Sequence, residues 1–366
     1  MFTRRRLLQI GSFLLAGGLL ALALYGVDLM KIVNAFQEAD YRWGLPLLGL
    51  VIVANLLRAW RWQILIDALP SSSPSTSPSG MSATRMLEAS FSSVMIGYMV
   101  NYVAPRMGEV VRTANLSARS RYSFSSLFGT VVSERIFDTA VLGLALLSTV
   151  AILFNRLDVL QEQFFGPAWA QLQSIPTVWV VGGTLGALLL TTVVTFLLRG
   201  TLRREDSSIG RLWRETVKPA LLSFNQGMRT LLESPRRGAI LLSTVGMWGG
   251  YLMMAYLPFR MLHLAEPYGI GILDAWALMA IGALGLLVPS PGGIGSYHYI
   301  TQQALYHLYG VPQAEALTYA VLTHGAQFAF YVLTGGIVIF YQGTGLRPLL
   351  TFWQQQSPPA ASESGS

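Results

Sequence analysis

The chain has 366 residues, 52% of them hydrophobic and 12% charged, with a mean hydropathy of +0.48. A soluble domain carries about 25% charged residues, so this composition excludes a water-covered globule and points to hydrocarbon as the solvent. The absence of cysteine excludes disulfides, thiolate catalysis and cysteine-ligated metal, and the net charge of +7 reads as loops facing anionic lipid rather than as a nucleic-acid surface.

Apolar windows approaching the roughly 20 residues of a spanning helix recur along the chain. The first, 8–27, follows Arg4-Arg5-Arg6 and is expected to be a retained first helix, although Ala21-Leu22-Ala23 resembles a cleavage site. The second, 44–66, closes on Arg58-Ala59-Trp60-Arg61-Trp62. That mixture of cations and indoles suits an anchor at the membrane interface, with contact to lipid headgroups as the sharper alternative. The linker 70–85 contains the low-complexity run Pro70–Gly80 and reads as a flexible cytoplasmic loop.

Window 86–104 is small and polar for a lipid-facing helix. The linker before it and segment 105–121 after it, with Arg106, Arg112, Arg119 and Arg121, both belong in the cytoplasm by their positive charge or position. A re-entrant hairpin meets both conditions, because irregular backbone at membrane depth must face protein or water. Window 124–154 then crosses outward. Segment 155–175, with Arg156 against Asp158 and Glu162, is external, and window 176–198 returns.

Segment 199–237 has nine basic residues against four acidic ones and is cytoplasmic. Its apolar residues from Leu212 to Leu231 recur at helical spacing, as in an interfacial amphipathic helix or a plain connecting one. After window 238–262, the stretch 270–309 is interrupted by Pro289-Ser290-Pro291-Gly292-Gly293-Ile294-Gly295, which no continuous helix contains. A second hairpin, entering from outside and turning at 289–295, is expected there. Window 314–342 is the last, and 346–366 reads as a disordered tail.

The expected fold is therefore all-α: a polytopic membrane bundle, residues 1–345, of about six spanning helices plus two opposed re-entrant hairpins. Two broken segments in two halves suggest an inverted repeat, with the site where they meet. Both termini are expected in the cytoplasm, in the plasma or inner membrane. Eight or more full spans is the competing topology.

Three constellations put charge or irregular backbone inside apolar sequence. In Pro105-Arg106-Met107-Gly108-Glu109-Val110-Val111-Arg112, proline breaks a helix and Glu109 and Arg112 share a face at i, i+3. Guanidinium forks fit phosphate oxygens, so this is a phosphate cradle or, equally, a positive-inside anchor with a local ion pair. Glu134, Arg135 and Asp138 lie about one-third into a long apolar window, where an unshielded charge costs about 3 kcal/mol. They must face protein or water, as a functional group or as an internal ion pair. The turn at Pro291, Gly292, Gly293 and Gly295 opens a helix whose first N–H groups would form an anion receptor, or it is simply a structural break. His298 and His324 are proton relays or buried hydrogen-bonded histidines. The four histidines show no metal-ligand spacing, and no metal or cofactor is expected.

The motifs Arg58-x-x-Arg61-Trp62, Pro105-Arg106-x-Gly108-Glu109-x-x-Arg112, Glu134-Arg135-x-x-Asp138 and Pro289-x-Pro291-Gly292-Gly293-x-Gly295 occur in the order seen in one group. The chain resembles the lysylphosphatidylglycerol synthase transmembrane-region family, a flippase-like membrane domain, over about residues 8–345. The resemblance implies transfer of a polar lipid between leaflets, with the arginine, acidic and proline–glycine motifs as the site. The lipid would carry an anionic or phosphate headgroup, and a lipid synthase or glycosyltransferase is a conceivable partner. Members often carry an acid after the glycine turn, where this chain has His298, which leaves the preferred headgroup open. Fused members of that family carry a soluble aminoacyl-transferase domain for which this chain is expected to lack room, so it is not expected to make lysyl-lipid by itself. No catalytic motif is present. The alternatives are a lipid-modifying membrane enzyme using Glu109, Asp138 and His298 as acid or base, or a solute or ion carrier.

Overall fold

The structure, a computed structural model, describes residues 4–69, 81–104, 107–153 and 235–343. It divides into two compact units, Met1–Val132 with Gly238–Ser366, and Ser133–Arg237. The described residues form helices α1 (Arg4–Leu24), α2 (Leu29–Gln37), α3 (Gly44–Asp67), α4 (Ala83–Val103), α5 (Gly108–Arg119) and α6 (Phe124–Leu153). After these come α7 (Arg237–Met261), α8 (Ile272–Leu287), α9 (Ser296–Tyr309) and α10 (Gln313–Tyr341). Among the described residues there is no strand.

Four helical segments are long and apolar enough to cross a membrane: Tyr41–Asp67, Phe124–Leu153, Arg237–Met261 and Gln313–Tyr341. At 1.5 Å per residue, the 24 residues of α3 reach about 36 Å, against a hydrocarbon core of about 30 Å. A fifth apolar segment, Gly11–Leu24 with Leu29–Gln37, is bent by 82°. The bend follows Gly26, at φ 71°, and α2 restarts where the Asp28 carboxylate accepts from the Met30 N–H at 2.9 Å. Large apolar side chains such as Leu14, Leu242, Val245, Leu333 and Phe340 are exposed on the outer faces, as a hydrocarbon solvent allows. The expected helix at 176–198, the amphipathic segment at 212–231, the linker 70–80 and the tail lie outside the described residues.

The first fold-back differs from the expectation. Residues 86–104 do not fold back on themselves; α4 runs unbroken for 21 residues. The chain reverses after Ala104, and α5 is the return arm. The cause is proline at 105: the preceding residue is pushed out of the helical region, and Ala104 sits at φ −130°, ψ 96°. Neither Gly97 nor the serines of α4 break it. Instead Gly97 lets α5 approach, since a Cβ there would lie 2.8 Å from the Gly108 carbonyl oxygen, and the Gly108 N–H donates to Asn101 Oδ1 at 2.7 Å. Small residues at such crossings are the usual membrane solution.

The second fold-back turns at 289–295, where proline and glycine were expected to break the helix. The 16 residues of α8 span about 24 Å, short of the bilayer core. It lies against α9, where the Ser296 hydroxyl donates to the Gly285 carbonyl at 2.7 Å. The core between α3, α4, α5 and α10 holds Trp62, Ile66, Met86, Met95, Leu116 and Tyr331, and a second cluster of Val51, Ala54, Met247 and Met254 joins α3 to α7.

Candidate functional site

Residues Val51, Ala54, Asn55, Arg58, Arg61, Trp62 and Leu65 recur at three- and four-residue intervals, so they form one stripe along α3. That whole stripe is buried: Arg58 is 4% exposed, Arg61 1% and Trp62 0%. This overturns the interface-anchor reading of Arg58–Trp62. An anchor would show its cations and indoles to the headgroup region, whereas here the same spacing that buries Val51 and Ala54 turns the arginines into the bundle.

Each guanidinium meets a polar or aromatic surface. Arg58 Nη2 donates to the Tyr251 hydroxyl on α7 at 3.0 Å, and its Cζ lies 5.9 Å from the Tyr98 ring centroid on α4. Arg61 Nη1 donates to Thr244 Oγ1, also on α7, at 3.2 Å. Arg112, 2% exposed on α5, lies over the Trp62 ring at 4.7 Å. Trp62 Nε1 in turn donates to Thr130 Oγ1 at 2.9 Å. Tyr98 stacks on Tyr331 of α10 with centroids 4.5 Å apart, and Asn55 Nδ2 reaches the Tyr331 hydroxyl at 3.4 Å. Two arginines of α3 thus reach α7, Arg58 lying also beside Tyr98, while Arg112 of α5 covers the Trp62 ring, and all three are buried. Buried cations over aromatic faces gain about 2 kcal/mol each, and forked N–H donors suit phosphate or carboxylate oxygens.

Of the expected residues, Arg112 belongs to this cluster, while Glu109 lies half-buried three residues earlier on α5. Arg106 lies outside the described residues. Glu134 is 1% exposed and Arg135 and Asp138 are half-buried on the part of α6 that belongs to the second compact unit. Arg58, Arg61, Tyr98, Tyr251 and Tyr331 are the residues that sequence reasoning did not place in the site. The available signal was Asn55, Arg58 and Arg61, three polar residues three apart, inside a helix that continues to Asp67.

A second group surrounds the glycine turn. Gly292, Gly293 and Gly295 all have positive φ, of 59°, 79° and 82°. A Cβ on Gly292 would strike the Tyr102 ring of α4, and one on Gly295 the Ala16 carbonyl of α1, so only glycine fits either place. The two fold-backs therefore touch, through Tyr102 and Gly292. His324 Nε2 donates to the Gly292 carbonyl at 2.8 Å. The Gly295 N–H donates to His298 Nδ1 at 3.4 Å. The expected anion receptor at the start of α9 thus has one of its donors engaged by the chain's own His298. The rings of His298 and His324 meet edge to face at 5.0 Å, and Tyr297 stacks on His324 at 5.2 Å. Both histidines are buried.

The lysylphosphatidylglycerol synthase TM region family matches residues 9–335. The UPF0104 membrane protein of Pyrococcus horikoshii is similar to the chain, 23% identical over 344 residues that cover 88% of this chain and 93% of the relative. No solved structure matches.

Proposed function

This chain belongs to the lysylphosphatidylglycerol synthase TM region family, and from that premise we propose that it carries a polar lipid with a phosphate-bearing headgroup between membrane leaflets. The observation that supports the reading is the burial of three arginines, Arg58 beside Tyr98 and Tyr251, Arg61 against Thr244 and Arg112 over Trp62. Charges at membrane depth are costly and mark binding or transport paths. A guanidinium-rich interior walled by rings matches a compact anion whose acyl chains remain in the surrounding lipid.

In this reading Arg58, Arg61 and Arg112 hold the headgroup. Glu109 organises the cations or meets a cationic portion of the headgroup, and Glu134, Arg135 and Asp138 are proposed as a separate polar group on α6. The turn Pro291–Gly295 with His298 closes the far end, where the two fold-backs meet.

The test uses purified protein in vesicles with fluorescent phosphatidylglycerol in both leaflets and a membrane-impermeant quencher outside. Arg112→Ala should lower the translocation rate at least about tenfold, the equivalent of one charge-assisted hydrogen bond. Arg112→Lys keeps the charge but loses the planar contact with Trp62, so it should fall between. Unchanged translocation by a well-folded Arg112→Ala protein would remove the arginine cluster from the mechanism.

A further inference from the structure

The hydrogen bonds at the glycine turn fix where protons sit. A carbonyl only accepts, so His324 carries its proton on Nε2, where it donates to Gly292. A backbone N–H only donates, so His298 Nδ1, which receives the Gly295 N–H, carries none. The two imidazoles therefore respond differently to an added proton. A proton on His324 Nδ1 leaves the bond to Gly292 in place and puts the cation against the faces of Tyr297 and Tyr102, whose centroids lie 5.2 and 6.0 Å away. A proton on His298 Nδ1 removes the acceptor and sets two donors against each other.

We infer that His298 is a proton-binding latch: without a proton on Nδ1 it ties the Gly295 N–H and holds the 291–295 turn against α1 and α4, and with one it releases the turn. The seat is tight. Gly295 packs on Ala16 and Leu20 of α1, and Gly292 on Tyr102 of α4, so release of Gly295 acts on both contacts. Among the described residues, the ionisable groups facing the pair come from three helices. From α10 comes His324, from α9 Tyr297 and from α4 Tyr102. Against the turn α1 presents Ala16 and Leu20, and α8 presents Leu286, none of them ionisable. Arg106 lies outside the described residues.

The sign follows from the acceptor role: the latched form excludes the proton, so it is favoured at alkaline pH and lost as pH falls. The latch needs no lipid, so it can be tested apart from transport.

The chain has no cysteine, which makes a single introduced thiol a clean probe. Ser290, 4% exposed in the same turn, is replaced by cysteine, and its rate of N-ethylmaleimide labelling is divided by that of a Glu266→Cys control. This ratio should rise severalfold from about pH 7 to about pH 3.5, because burial beside His324 holds the protonation of His298 to acid pH and release costs one hydrogen bond. Asn at position 298 offers an amide oxygen to Gly295 but does not titrate, so His298→Asn should label slowly at both pH values. His298→Phe, with no acceptor, should label fast at both, and His324→Gln, which keeps the donor to Gly292, should preserve the rise. A flat ratio in the parent protein, or the same rise in His298→Asn, would overturn the latch. Translocation measured on the same preparations reports on the lipid reading separately: labelling as described without translocation would sink that reading and leave the latch standing.

Discussion

The contact between the two fold-backs can be weighed with one substitution, Gly292→Ala. Gly292 lies at φ 59°, ψ 12°, in the left-handed region, where an ordinary residue costs about 1–2 kcal/mol. The added methyl also strikes the Tyr102 ring, and overpacking of this kind costs about 1–3 kcal/mol. Together they predict a loss of about 2–5 kcal/mol. The two contributions separate in a double-mutant cycle. With Tyr102→Ala as the background the collision is gone and only the backbone cost of about 1–2 kcal/mol remains. The coupling between positions 102 and 292 should then be about 1–3 kcal/mol. Stability is measured by titrating SDS into mixed micelles and following the fluorescence of the nine tryptophans. Additivity of the two substitutions within about 0.5 kcal/mol would refute the contact.

Two further outcomes are expected. Tyr251→Phe removes the hydroxyl that accepts from Arg58 at 3.0 Å, and bonds to charged groups are worth about 1.5–3 kcal/mol; the same unfolding assay should show that loss, with Tyr256→Phe, on the same helix, as the control. Asp40 receives Arg42 Nε and Nη2, both at 2.9 Å, and this bonding holds its carboxyl below the usual carboxylate range. A lowered folded-state pKa gives stability that is present above about pH 4 and lost as pH falls further. The difference in Tm between the parent and Asp40→Asn should therefore shrink on acidification through that range, and a difference that grows instead would reject the ion pair as its source.

The helices themselves were legible because a membrane span is written directly in apolar length. Window 44–66 became Gly44–Asp67, 238–262 became Arg237–Met261 and 314–342 became Gln313–Tyr341. Breaks were legible wherever proline enforces them, as at 289–295. Counting positive charges detected that the chain reverses near residue 100, but put the reversal inside 86–104; Gly97 and the serines of α4 resemble a break and instead serve close packing. What could not be read was which face of a helix looks inward. In water a polar face marks the outside, but α3 is apolar nearly all round, so its arginines near one end resembled an interface belt. His324 was equally hard to place, because its partner Gly292 lies 32 residues away and a lone histidine forms no motif.

The arginine cluster and the histidine pair are not separate curiosities of the fold, because two helices carry rings from one to the other. On α4, Tyr98 and Tyr102 are four residues apart and so share a face. On α10, His324, Phe328 and Tyr331 do the same. Tyr98 meets Arg58 and stacks on Tyr331, while Tyr102 meets Phe328 at 4.8 Å and His324 at 6.0 Å. One helical turn is 5.4 Å, so the two groups stand about one turn apart along a continuous seam of rings. Packed rings do not deform smoothly, and a shift of the glycine turn against Tyr102 must either be absorbed at Phe328 or move Tyr98 beneath Arg58. The double-mutant cycle at positions 102 and 292 measures the first link of that seam, and the Arg58–Tyr251 bond measures the last.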